Sequence, residues 1–207
     1  MKLAIFGATG AIGRLLVDNA LAQGHQVTAF ARTPSALGTT HRHLVPLAGN
    51  ISDPGAVRDA VAGQDAVMVA LGAGRKGNVR APGTRQVMEA MHHHNVTRLI
   101  CLSSLGVGDS AGHLTLFYKY VMFGIVLRAA MADHAAQEDA VMNSGLDWTI
   151  VRPGSFTDGP ETGDYRHGFP ATEKNLTLKI SKADVAQFMI RQLTDDTYLH
   201  AAPGLSY

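Results

Sequence analysis

Cysteine is nearly missing from this chain. The single thiol, Cys101, has no partner for an internal disulfide, which fits a reducing compartment. An excess of either charge is missing as well: 18 Lys and Arg against 17 Asp and Glu leave a formal charge of +1, which argues against a nucleic-acid partner gripped by a basic face. No run is apolar enough for a bilayer. The nearest, LTLFYKYVMFGIVLRAAMA at residues 114–132, is interrupted by Lys119 and Arg128. The eight uncharged residues from Tyr120 to Leu127 fall far short of the roughly 20 that a crossing helix needs. The segment is read as a partly buried helix, and no membrane partner is expected. Nor is there room for a signal peptide, because Met1 leads straight into the strand-like KLAIF; a cytoplasmic location is the expectation.

What is present is enough for one well-buried core: 207 residues, 46% apolar and 17% charged. Short apolar runs alternate with helical patterns. KLAIF is a strand, and AIGRLLVDNALAQ a helix with Ile12, Leu15, Leu16 and Leu21 on one side, stopped by Gly24. HQVTAFAR and HLVPLAG are the second and third strands, the latter weakened by Pro46. Asp53 caps a helix that runs from Pro54 to about Val61. DAVMVAL and TRLICLSS follow as strands, separated by a helix from about Thr84 to His93. A long helical region reaches Asn143, LDWTIVRP is the sixth strand, and LTLKI with the helix KADVAQFMIRQL closes the chain. Nearly continuous apolar strands alternating with helices belong to a parallel sheet covered on both faces. The expected fold is α/β: one doubly wound, mostly parallel, Rossmann-like domain over residues 1–207.

The glycines carry the first chemistry. Gly7, Gly10 and Gly13 form G-x-x-G-x-x-G between the first strand and the first helix. In that context Gly7 permits the turn, Gly10 lets the backbone approach a pyrophosphate, and Gly13 lets helix and strand pack closely. The helix N-terminus adds unpaired N–H groups and partial positive charge. An NAD site normally has an acidic residue near the end of the second strand, yet none occurs between Asp18 and Asp53. Arg32 stands there instead, and a guanidinium suits a 2′-phosphate. The expected cofactor is therefore NADP(H).

The rest of the chemistry is sparse. The Tyr-x-x-x-Lys pair of classical short-chain dehydrogenases is missing: Met122 follows Tyr118 by four and Gly124 follows Tyr120, while Lys119 is adjacent to both tyrosines and so points elsewhere. Reversible alcohol oxidation is not the leading reading. His92, His93 and His94 are consecutive and cannot converge on one ion from a helix, so no metal is expected; they suit a helix end. Polar residues at strand carboxyl ends matter more: LGAGRKG after strand four, Ser103 and Ser104 after strand five, and RPGS after strand six.

On IFGATGAIG, AGQDAVMVALG, NSGLDWTIVRPGSF and ISKADVAQFMIRQLTDDTYLH, the sequence resembles the NADPH-dependent flavin reductases, also known as biliverdin-IXβ reductases, within the atypical short-chain dehydrogenase group that includes NmrA-like proteins. The similarity covers nearly the whole chain. It implies that Gly7, Thr9, Gly10, Ala11 and Ile12 wrap the pyrophosphate, with Gly13 also counted among the cofactor-binding residues, and that Arg32 meets the 2′-phosphate. Asn50 and Ile51 border the adenine, and Leu71 and Gly72 pass the ribose. Ser103 and Ser104 flank the nicotinamide, with Pro153, Gly154 and Ser155 at its carboxamide face. Ser104 and His134 are the candidate catalytic residues, His134 either orienting a phosphate or propionate or serving as a structural surface residue. Leu116, Phe117, Tyr118, Met122 and Phe123 are either the outer wall of the crevice or ordinary helix core.

The chain also departs from that family. Ser155 stands where animal members carry a histidine, and His134 where many NmrA-like relatives carry a lysine. GVGDSAGHLTLFYKYVMFGIV differs from the corresponding animal segment. The resemblance implies hydride transfer to a planar small-molecule acceptor (flavin, bilin or quinone) in a crevice built from the C-terminal half, by a monomer. A non-catalytic NADP(H)-binding redox sensor of the NmrA type is the alternative.

Overall fold

The computed structural model describes residues 1–72, 77–113, 126–170, 172, 173 and 175–207. Its strands are β1 (Lys2–Phe6), β2 (Gln26–Ala31), β3 (Leu44–Ala48), β4 (Ala66–Val69), β5 (Arg98–Leu102), β6 (Asp147–Pro153), β7 (Ser155–Thr157), β8 (Arg166–His167), β9 (Lys179–Ser181) and β10 (Gly204–Ser206). The helices are α1 (Ala11–Ala22), α2 (Pro54–Val61), α3 (Arg80–His94), α4 (Arg128–Met142) and α5 (Lys182–Arg191). The main sheet has the order β3-β2-β1-β4-β5-β6-β10-β8. Neighbours pair in parallel as far as β10, and β8 runs antiparallel at the edge.

Strand alternation divides the core in two. Leu3 and Ile5 face the cluster under α1 and α5, which includes Leu16, Val185 and Phe188. Ala4 and Phe6 face the opposite cluster under α2, α3 and α4, which includes Val57, Met91 and Val141. Both faces of each central strand are thus buried, which is why the strands read as unbroken apolar runs. β3 is the exception. It pairs on one side alone, so Pro46 removes no ladder bond that the sheet needs, and Val45 remains exposed.

Helix ends follow the local signals. Gly24 takes φ +79° past the end of α1, and His25 N–H donates to the Ala20 carbonyl to close the turn. Asp53 accepts from Gly55 and Ala56 N–H at the start of α2.

Four expectations need correction. α3 begins at Arg80 and not near Thr84, because Pro82 falls in the first turn, where its missing N–H would have had no helical acceptor. β5 stops at Leu102, short of the end of TRLICLSS, while Ser103 and Ser104 follow it as expected. LTLKI contributes only Lys179–Ser181, and that strand pairs with β7 in a separate two-stranded sheet. The strand that extends the main sheet is β10, three residues of GLS too short to show an apolar run. Residues 114–125, including Leu116, Phe117, Tyr118, Lys119, Tyr120, Met122, Phe123 and Gly124, lie outside the described residues, as do 73–76 of LGAGRKG. Among the described residues no helix is long and apolar enough to cross a membrane.

Candidate active site

The turn between β1 and α1 is fixed by steric exclusion. Gly7 takes φ +80°, and a Cβ there would lie 2.4 Å from the Ala70 carbonyl oxygen. At Gly13 a Cβ would lie 2.1 Å from the Gly7 carbonyl oxygen, so helix and turn approach as closely as bare backbone allows. Both glycines are required by the fold itself. Gly10 is different: its φ is −73°, it is exposed, and as N-cap it offers α1 no side chain. The first turn of α1 also contains no acidic residue. Its N–H groups therefore face outward with the positive end of the helix dipole, a cradle suited to an anion.

This cradle opens into a cavity of about 1120 Å³ along the carboxyl ends of the parallel strands. At one end Arg32 follows β2, exposed, beside Gly49, Asn50 and Ile51. Gly49 lies over the edge of the Phe30 ring, where a Cβ would come within 2.4 Å. Asn50 Oδ1 is held by Ser52, accepting from its N–H at 3.1 Å and its hydroxyl at 2.9 Å. Asn50 is thereby set at the cavity rim.

The inner end is made of buried polar side chains. Ser103 Oγ donates to Glu138 Oε1 and lies 3.4 Å from His134 Nδ1. Glu138, 2% exposed, receives a two-pronged bond from Arg152, Nε to Oε1 at 3.0 Å and Nη2 to Oε2 at 2.7 Å. Arg152 Nη1 continues to Asp109. Burial alone would lower the Arg152 pKa; the bonds to Glu138, then Asp109, outweigh it and raise it. Because its proton is committed to Glu138, the Ser103 hydroxyl presents lone pairs and not a donor to its other neighbours. Ser104 is half-buried, with only a local 3.2 Å bond to the Leu105 carbonyl.

His134 is not the surface residue of one sequence reading. It is buried and lines the cavity. Burial first, and the charge of Arg80 second, bring its pKa down to about 4 against the opposing pull of Asp133 and Gln137. Its ring is neutral near pH 7. Cys101, in β5, is no nucleophile: burial, and then the Glu138 charge, push its thiol up.

Asp133, one residue before His134, organises the start of α3. Its carboxylate accepts from the N–H groups of Val79 (3.2 Å), Arg80 (3.0 Å) and Ala81 (3.0 Å). A helix leaves four N–H groups without internal acceptors. Here Asp133 takes three and Pro82 removes the fourth.

Of the residues expected from the sequence, Gly7, Thr9, Gly10, Ala11, Ile12, Arg32, Asn50, Ile51, Leu71, Gly72, Ser103, Ser104, His134, Pro153, Gly154 and Ser155 all line this one cavity. Gly13 does not; it packs behind the turn. Sequence reasoning passed over Arg80, Leu127, Phe156 and Leu178 in the lining and Glu138 behind it; Arg152 was noted within RPGS, but not as the partner of Glu138. The N-terminal placing of Pro82 could have revealed Arg80. Nothing in sequence spacing marks Glu138 as the partner of Arg152. Among the described residues no cluster of three or more His, Cys, Asp or Glu could hold a metal.

A doubly wound parallel sheet with an anion cradle at its first turn and a long cleft across the strand ends defines a dinucleotide-binding α/β protein. A family model described as NAD(P)H-binding matches residues 7–196, and the chain belongs to that family. The chain is 29% identical over 206 residues to UPF0659 protein YMR090W of Saccharomyces cerevisiae, covering 93% of this chain and 87% of that one. It spans 62% and 52% of two longer curated relatives. In fold it matches a short-chain dehydrogenase/reductase of Veillonella parvula in complex with NADP, at TM-score 0.84, 20% identity, and coverage of 100% and 94% of the two chains. It likewise matches ChuY, an anaerobilin reductase of Escherichia coli O157:H7, at TM-score 0.80, 23% identity, and coverage of 99% and 96%.

Proposed function

We propose that the protein is an NADPH-dependent reductase that delivers hydride to a planar acceptor: a flavin, a bilin or a quinone. The observation that carries this reading is the cavity itself. At about 1120 Å³ it lies at or above the upper end of ordinary ligand pockets, about 300–1,000 Å³. Yet no described residue lining it is a proton donor matched to neutral pH. The Ser103 hydroxyl spends its hydrogen bond on Glu138, and His134 is already neutral. Reduction of a simple ketone needs an acid to protonate the forming alkoxide. A flavin, bilin or quinone spreads the added charge over its own ring system and takes its proton from solvent.

The residues fit the dinucleotide. Amides of residues 9–12 would hold the diphosphate, and Arg32 the 2′-phosphate that distinguishes NADPH from NADH. Asn50 and Ile51 would bound the adenine, Leu71 and Gly72 the ribose, and Ser103 with Pro153, Gly154 and Ser155 the nicotinamide end. The bound cofactor supplies the hydride. The protein's part is to stack acceptor against cofactor and keep water out, work suited to Leu105, Leu127, Phe156 and Leu178 in the lining. Ser104 is the hydroxyl available to orient the acceptor. The NADP complex of one structural neighbour and the bilin reductase name of another support the reading.

The test is to mix the protein with NADPH and, in turn, FMN, riboflavin, biliverdin and simple quinones, and follow the absorbance of the reduced nicotinamide. Loss that needs both enzyme and acceptor is expected. Tight NADPH binding with no turnover on any acceptor would replace this reading with that of a redox sensor.

A further inference from the structure

Four described residues other than glycine have a positive φ: Asn78, Asn95, Leu178 and His200. Asparagine and histidine enter this left-handed region more readily than other side chains do. Leu178, at φ +58°, is the exception among them. A bulky apolar residue there crowds its own backbone, and it persists only where its surroundings over-determine it. Leu178 is held from both sides. Its N–H donates to Ser206 Oγ at 2.9 Å, and its carbonyl accepts from Ser155 N–H at 2.8 Å. A Cβ on Gly154 would come within 2.5 Å of that same carbonyl oxygen, so the two segments meet backbone to backbone. Glycine or asparagine would take this conformation at lower cost. What leucine adds is an apolar side chain, at a half-buried position in the cavity lining.

The place of Leu178 in the cleft says what that side chain meets. Arg32 follows β2 and the glycine turn follows β1, whereas Leu178 abuts the residues after β6, four strands along the sheet from β2. At about 4.8 Å per strand, that is roughly 19 Å from the Arg32 end. Phe156, next to Ser155, lines the cavity too and is 45% exposed. An aromatic ring left open to a cavity offers a stacking face. We propose that Leu178 is a specificity-determining residue for the acceptor: its strained backbone fixes an apolar side chain that, with the Phe156 ring, forms a platform for a flat conjugated ring system. This rests on the reductase reading, and it assigns Leu178 to the acceptor and not to the cofactor.

The experiment compares the wild type with Leu178→Ala, Leu178→Gly and Leu178→Met, using NADPH with FMN, riboflavin and biliverdin. KM for the acceptor should rise roughly tenfold in Leu178→Ala and Leu178→Gly, the worth of a leucine side chain's apolar contact. Both kcat and the Kd for NADPH should stay within about twofold of the wild type, the signature of lost acceptor binding alone. Leu178→Met should keep most of the wild-type KM. On heating, Leu178→Gly should unfold above Leu178→Ala, the reverse of the usual order, because only glycine relieves the positive φ. An acceptor KM unchanged in Leu178→Ala and Leu178→Gly would overturn the proposal, leaving Leu178 a structural residue. So would a loss of NADPH affinity as large as the change in KM, which would give Leu178 to the cofactor, or Leu178→Ala unfolding above Leu178→Gly, which would remove the strain. If the wild type reduces none of the three acceptors, the reductase reading fails alone. Quenching of FMN and riboflavin fluorescence by the NADP⁺-saturated protein then reads acceptor binding without turnover. Roughly tenfold weaker binding in Leu178→Ala supports the platform; equal binding in the two proteins, or none in the wild type, overturns it.

Discussion

At the end of the cavity by the opening turn, much of the wall is backbone. Gly7 and Gly13 are held by contacts too close for any side chain, Gly10 leaves the α1 amides open, and Arg32 stands exposed at the rim. At the inner end the walls are side chains buried in ion pairs: Asp109, Arg152, Glu138 and Ser103 in one line, Asp133 and Arg80 in another, with His134 between them. The glycine turn of the first end is one local stretch, Gly7 to Gly13. The second needs residues from α3, α4, β6 and the loop after β5 to meet. The first suits a ligand part that every member of such a family must bind, and the second is where acceptor choice can be set.

The most forceful way to break this contrast is to remove a buried charge. Glu138→Ala would leave buried Arg152 with Asp109 as its remaining carboxylate, and loss of one partner of a buried pair costs about 3–5 kcal/mol. Thermal or denaturant unfolding should show that loss; a cost below about 1 kcal/mol would mean that the inner end is not held by this pair. At the other end Gly13→Ala should cost about 3 kcal/mol, because neither the Gly7 carbonyl nor the helix can move aside.

Acid offers a third route. His134 has a folded pKa of about 4 against 6.5 unfolded. Between those values the unfolded chain binds the extra proton, so stability is full above pH 6.5 and falls as the pH drops toward 4, by up to about 3 kcal/mol. His134→Gln should flatten this part of the pH profile. Asp184 acts lower. Burial would raise its pKa, but bonds from the Tyr207 hydroxyl, Gly163, Thr162 and Ser181 hold it down. Its contribution is present above the unfolded value and lost as pH falls through the folded one, so Asp184→Asn should shrink the loss of stability below about pH 4.

The smallest expected effect on the fold is at Gly10. A Cβ there would lie 3.2 Å from the Gly7 oxygen, which asks for a shift of a few tenths of an ångström. Gly10→Ala should therefore cost about 1 kcal/mol of stability or less. NADPH binding should weaken by tenfold or more, since the methyl intrudes where the phosphates approach. A variant that binds normally would place the diphosphate elsewhere.

The same contrast explains what was legible beforehand. Strand–glycine–helix order, the Asp53–Pro54 cap and the absence of acid near Arg32 are local patterns, and local patterns survive in a sequence. Arg80 was passed over because its helix was read as starting near Thr84, four residues late. The Glu138–Arg152 pair joins a helix to a strand, and neither residue's neighbours hint at the other. β10 was missed because three residues, GLS, extend the sheet through backbone pairing alone.

The central claim is that the opening turn and Arg32 together hold a phosphorylated nicotinamide dinucleotide. Calorimetric titration of the wild type and Arg32→Asp with NADPH and NADH tests it most directly. The wild type should bind NADPH at least tenfold more tightly than NADH, and the substitution should erase or reverse that preference. No heat with either nucleotide, or an equal loss for both in the variant, would contradict the account.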